Sequence, residues 1–176
     1  MKSLRDDFRT ELVWSHEKKP KRLELRVEGD PQVYATLTQL KGSLYLGESA
    51  DGTWTFKRAG FLRPRIVIRV SGSEADLGAL HIASIGDGRL ELGGKAWPWH
   101  LTSFWHQERA FLGAGDEPLV RIRPEFSGRI HVTLAESARR LPEAPLMALL
   151  GAHAVQLMAD DVGGAMAAAA AAAASA

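Results

Sequence analysis

The chain contains no cysteine and no asparagine, and it has little glutamine. Without cysteine there is no disulfide framework and no thiolate metal site. A reducing, cytoplasmic home is the simplest expectation, peripheral to a membrane at most. Net charge is also missing: 22 basic against 21 acidic residues leave +1. No overall field therefore draws the molecule onto a polyanion, and no nucleic-acid partner is expected. The segment Met1 to Phe8 is charged, with no apolar stretch of about 7–15 residues behind it, so no signal peptide is expected. The G-x-S-x-G, H-E-x-x-H, Walker A and G-x-G-x-x-G patterns are all absent. The expectation is no enzyme, no catalytic residue, no cofactor and no metal. Arginine outnumbers lysine fifteen to seven, and alanine and glycine are heavily used. That usage resembles a high-GC bacterial coding sequence. The missing thermolabile side chains also suit a heat-adapted source.

What is present is a pattern of period two. The chain's 176 residues, 45% apolar and 24% charged, fit one globular domain with a core of its own. From about Leu23 to Leu134, apolar and polar residues alternate. Leu23, Leu25 and Val27 are interleaved with Glu24, Arg26 and Glu28; Ile66, Ile68 and Val70 with Arg65, Val67 and Arg69. Ile130, Val132 and Leu134 alternate with Arg129, His131 and Thr133. Such alternation packs one face and wets the other, which is the mark of antiparallel sheets. Turn chemistry separates the runs at Gly29-Asp30-Pro31, Asp51-Gly52, Asp87-Gly88, Gly93-Gly94 and Gly113 to Gly115. The rhythm of about 8–12 residues is that of a sandwich or barrel, and predicts ten to twelve strands.

After Arg140 the period changes. Leu141-Pro142-Glu143-Ala144-Pro145 opens a helix, and from Leu146 to Ala159 no residue is charged. Leu146, Met147, Leu149, Leu150, Val155, Leu157 and Met158 cover every side of that helix. A helix apolar all round is buried in a core or in a membrane. A membrane span needs about 20 apolar residues, and extending this one takes Asp160 and Asp161 into the bilayer at roughly 2.5–3.5 kcal/mol each. No transmembrane span is therefore expected. A barrel of more than about eight strands leaves a lumen to be filled. A helix of about 16 residues rises roughly 24 Å, close to the height of a barrel of six- to seven-residue strands. The predicted fold is mainly β: a closed antiparallel barrel of about 10–12 strands enclosing a hydrophobic C-terminal helix. A charged segment (1–22) precedes the barrel (23–161), whose helix spans about 143–160. Gly163-Gly164 and the alanine run Ala167 to Ala174 fall in a flexible tail, 162–176.

The meander of short strands, the segment Gly42-Ser43-Leu44-Tyr45-Leu46 through Asp51-Gly52-Thr53-Trp54-Thr55-Phe56, and the helix Leu146 to Met158 together resemble the tubby-like β-barrel superfamily. That superfamily is taken in the wide sense of tubby C-terminal domains, LURP-one-related proteins and phospholipid scramblases. The resemblance covers residues 23–160. It implies a closed barrel around its last helix and non-enzymatic roles, phosphoinositide binding in tubby and membrane association in scramblases. Neither a tubby-like lysine/arginine phosphoinositide site nor an acidic calcium-binding segment of the scramblase kind can be placed on this chain.

Three features compete for a site. The segment Trp97-Pro98-Trp99-His100-Leu101-Thr102-Ser103-Phe104-Trp105-His106 holds three of the five tryptophans and two of the six histidines. It reads either as an aromatic platform of Trp97, Trp99, His100, Trp105 and His106, or as core and rim packing with Pro98 at an edge or bulge. Two histidines without neighbouring carboxylates do not complete a metal shell. Arg63, Arg65 and Arg69 on one run and Arg121 and Arg123 on another would form a phosphate-gripping patch if their strands were neighbours; apart, they are an ordinary solvated face. The basic run Lys18-Lys19-Pro20-Lys21-Arg22 reads as a solvated linker. His153 inside the apolar helix is expected to be neutral and hydrogen-bonded, or else to open a small polar pocket. The expected function is a non-catalytic binding or scaffolding module that meets anionic phospholipid or a protein partner on its outer surface. The alternative is a ligand-binding or enzymatic barrel built on 97–106.

Overall fold

Twelve strands, each hydrogen-bonded to the next and the last to the first, close a barrel that is antiparallel throughout. The computed structural model describes residues 1–5, 11–17, 22–60, 63–83 and 87–174. The strands are β1 (Glu11–Glu17), β2 (Arg22–Arg26), β3 (Val33–Lys41), β4 (Leu44–Ser49), β5 (Gly52–Ala59) and β6 (Arg65–Val70). They continue as β7 (Gly78–Ile82), β8 (Gly88–Leu92), β9 (Lys95–Ser103), β10 (Glu108–Leu112), β11 (Pro118–Pro124) and β12 (Ile130–Leu134), followed by the helix α1 (Ala144–Ala174). Closure comes from β1, which pairs Trp14 with Ile130 of β12 and with Leu25 of β2. A closed sheet has no edge strand to protect.

The alternation read from the sequence sorts residues as expected. Leu25, Phe56, Ile68, Leu80, Leu90, Val120 and Val132 point inward and are wholly buried. Cross-strand pairs such as Tyr45 with Phe56 and Leu90 with Trp97 bring these side chains into layers. The lumen they line is occupied by α1, in which every residue from Ala144 to Val155 is buried. Glu143, just before α1, meets Lys95 at 3.0 Å at one end of the barrel, and Asp161 meets Arg58 at 2.6 Å at the other. Between them the helix rises about 27 Å. At Gly151 the helix packs tightly on the wall: a Cβ there would lie 2.6 Å from Ile122 Cγ1 and 3.3 Å from the Phe111 ring.

Two boundaries differ from the sequence reading. The barrel begins before Leu23, because β1 lies within the segment assigned to a charged N-terminal stretch. In β1 the three consecutive residues Leu12, Val13 and Trp14 are all buried, which hides the period of two. The helix does not stop near residue 160 but continues to Ala174. Alanine has the highest helix propensity, and about 1 kcal/mol lost at each glycine of the pair 163–164 does not outweigh the run that follows. Pro98 sits within β9 opposite Arg89, not at an edge; the nearby bulge falls on β10 between Glu108 and Arg109. The basic residues Lys18 to Lys21, like residues 6–10, lie outside the described residues.

Candidate functional site

Because α1 fills the lumen, chemistry has to be sought on the outside and at the rims. The tryptophan-rich segment is divided by its own pleat. Trp97 and Trp99 point inward and are buried, with Trp99 packed on Phe111 at a centroid distance of 4.5 Å. His100 points outward, 3.9 Å from Asp87. Trp105 and His106 lie beyond the strand, in the β9–β10 turn. The five residues therefore do not assemble one platform; the inward pair is core.

The arginines are divided as well. β6 and β11 are separated by β7, β8, β9 and β10 around the barrel, so Arg65 and Arg69 cannot share a patch with Arg121 and Arg123. Arg69 is held by Asp76 at 2.7 Å, with Glu74 at 3.9 Å. Arg123 meets Glu11 at 3.5 Å. Arg63, Arg65 and Arg121 are exposed, and among the described residues they have no carboxylate partner.

What the structure does bring together is Trp105, His106 and Arg123, at a cleft of about 470 Å³ between the β9–β10 and β11–β12 turns. Turns in an antiparallel barrel alternate between its ends, so both lie at the end from which α1 emerges. Glu125 and Phe126 of the second turn complete the cleft. Phe104, Trp105 and Phe126 are 69%, 89% and 114% exposed, and the first two rings stand edge to face at 6.0 Å. Single exposed apolar residues are ordinary, but three large ones on two adjoining turns form a patch.

Local chemistry sets both turns. Gln107 adopts a positive φ of 51°, and its Nε2 donates to the Phe104 carbonyl at 2.7 Å. Gly128, at φ 83°, lets its N–H reach the Glu125 carbonyl at 3.0 Å. The Ser127 hydroxyl donates to the Glu125 carboxylate at 2.9 Å, and His131 Nε2 lies 2.5 Å from it. The Ser127 hydrogen bond, then that from His131, holds the Glu125 carboxyl below the usual carboxylate range. The other nitrogen of His131, Nδ1, lies 3.1 Å from Glu11 Oε1, so one nearly buried ring ties the second turn to β1.

Phe126 escaped the sequence reading. The only signal was an aromatic residue inside the turn sequence Glu125-Phe126-Ser127-Gly128, where polar residues are usual. Among the described residues no three His, Asp or Glu side chains gather as a metal would require. No described helix is long and apolar enough to cross a membrane. Compared with known proteins, the chain matches no family model, no curated protein and no solved structure.

Proposed function

We propose that the protein is a non-catalytic binding module that rests on a lipid surface through its two aromatic turns. The observation that carries this reading is the exposure of Phe104, Trp105 and Phe126 on neighbouring turns at one end of the barrel. Tryptophan and phenylalanine at such tips partition into the interfacial layer of a bilayer. Each aromatic side chain fully buried contributes about 1.5–3 kcal/mol, so three contribute roughly 4–9 kcal/mol before the cost of orienting the protein. That predicts weak, reversible attachment. Because the arginines are divided and the net charge is only +1, attraction to anionic headgroups is secondary, and salt should matter little.

Membership of the tubby-like superfamily is part of the same proposal. What supports it is a twelve-strand barrel closed around a buried C-terminal helix. A second reading, a small-ligand site on the segment 97–106, draws support from the cleft beside Trp105 and His106.

Co-sedimentation with vesicles of phosphatidylcholine, with and without phosphatidylserine, tests the lipid reading. Wild type should sediment with both, and the double substitution Trp105→Ala/Phe126→Ala should abolish this. The double substitution Arg65→Glu/Arg121→Glu should have little effect. No sedimentation of wild type, or undiminished sedimentation of the aromatic variant, overturns the reading in favour of a small ligand or a protein partner.

A further inference from the structure

At the rim where α1 leaves the barrel, a pocket of about 270 Å³ opens between the helix and the β2–β4 wall. At about 30 Å³ per water, it holds roughly nine water molecules. Arg22 from β2 and Asp160 from α1 both line it, and no ion pair joins them.

Each charge is left incomplete. The Glu24 carboxylate is shared by Arg22, whose Nε lies 3.3 Å away, and by Arg26. Two guanidinium groups on one carboxylate leave a positive excess, and Arg22 Nε, though buried, makes no hydrogen bond among the described residues. Asp160 has no hydrogen-bond or ion-pair partner among the described residues. Beside it, Gln156 Oε1 is buried with no partner, a condition native structures rarely leave uncompensated. Gln39 Nε2 donates to the Gly42 carbonyl at 2.8 Å, which leaves its Oε1 as a further acceptor. Burial, and then the charge of Asp160, push the Tyr45 phenol up, so it stays a neutral donor.

We infer that this pocket binds a small zwitterion of the free α-amino acid class, its carboxylate on Arg22 and its ammonium on Asp160 and Gln156 Oε1. A simple anion would face Asp160, and a simple amine would face the excess charge at Arg22. A molecule carrying both groups complements each. Of its lining residues, Asp160 is exposed to solvent, whereas Tyr45 is only 7% exposed. The inference does not rest on the aromatic turns, which line a different cleft.

Isothermal titration of the full chain with a panel of free L-α-amino acids tests it. At least one should bind with a Kd of about 1 mM or tighter. Its decarboxylated amine and its deaminated acid should each bind about tenfold or more weakly than the parent. Asp160→Asn and Arg22→Gln should each weaken binding by about tenfold or more, whereas Trp105→Ala should leave it unchanged. Asp160 is exposed, so its variant should fold as wild type does, which circular dichroism verifies. No heat from any amino acid at about ten times that concentration overturns the proposal. So does an amine that binds as well as its amino acid, or an Asp160→Asn variant that binds like wild type.

Discussion

The imidazole of His153 lies 4.3 Å from the ring of Tyr45, tilted by 45°, and is stacked at 5.9 Å on Phe56. It is fully buried, and neither ring nitrogen has a partner among the described residues. A helix that plugs a barrel thus carries a polar ring at the level of the core.

Burial pushes the His153 pKa down from 6.5 to about 3. The unfolded chain takes up a proton near the ordinary value, and the folded chain does not until about 3. Stability from this group is therefore whole above about pH 6.5 and is lost as pH falls toward 3, by about 1.4 kcal/mol per pH unit. His153→Leu removes both the titration and two unpaired nitrogens. It should raise stability by about 1–2 kcal/mol at neutral pH and by more at pH 5. Urea denaturation of both proteins across that range checks this, and parallel pH profiles would refute it.

How much of this was legible beforehand varies by element. Ile66 with Ile68, and Ile130 with Val132, face the lumen as their period of two requires, so the barrel and its plug could be read without coordinates. β10 was harder, because Ala110 on its outer face is as buried as Phe111 on its inner face. Arg109 also breaks the rule. It turns inward, is 8% exposed, and lies 3.7 Å from Asp87. The arginine patch depended on which strands adjoin, and a local pattern carries no information about strand order. Likewise the cleft joins Trp105 to Phe126 across two turns, a pairing set by closure of the barrel and not by either turn sequence.

Gly151 is where helix propensity and packing oppose one another. Alanine at this position gains about 1 kcal/mol of intrinsic helix preference. Its Cβ, however, would lie 2.6 Å from Ile122 Cγ1 and 2.9 Å from Cδ1, and overpacking of a core costs about 1–3 kcal/mol. The clash should prevail, so Gly151→Ala should destabilise by about 1 kcal/mol and Gly151→Leu by several times that. Ile122→Val removes Cδ1, so in the double variant it should recover part of the loss. A double-mutant cycle on denaturation midpoints shows the coupling; strict additivity would place the helix farther from β11.

His131 holds the β11–β12 turn through Glu125 and holds β1 through Glu11. His131→Leu fits the same nearly buried position but makes neither bond. Hydrogen bonds to charged groups contribute about 1.5–3 kcal/mol, discounted here because Glu11 is 59% exposed at its side chain. A loss of about 1–2 kcal/mol is expected, together with faster amide exchange at 125–129. Hydrogen exchange read by mass spectrometry separates this from a general loosening, which would speed exchange in β5 and β6 as well.

Of the five tryptophans, Trp14, Trp54, Trp97 and Trp99 are buried, and only Trp105 is exposed. Iodide does not enter a packed core, so it should quench a single component of the intrinsic fluorescence, of about one fifth of the total if the five rings emit equally. Trp105→Phe should remove that component and shift the remaining emission to the blue. The same ring reports on the lipid proposal: vesicles that accept the two turns should protect Trp105 from iodide and blue-shift it in wild type alone. An iodide-accessible component that survives in Trp105→Phe would mean that one of the four lumen-facing rings is solvated. In that case α1 would not fill the barrel, and a ligand could enter the lumen itself.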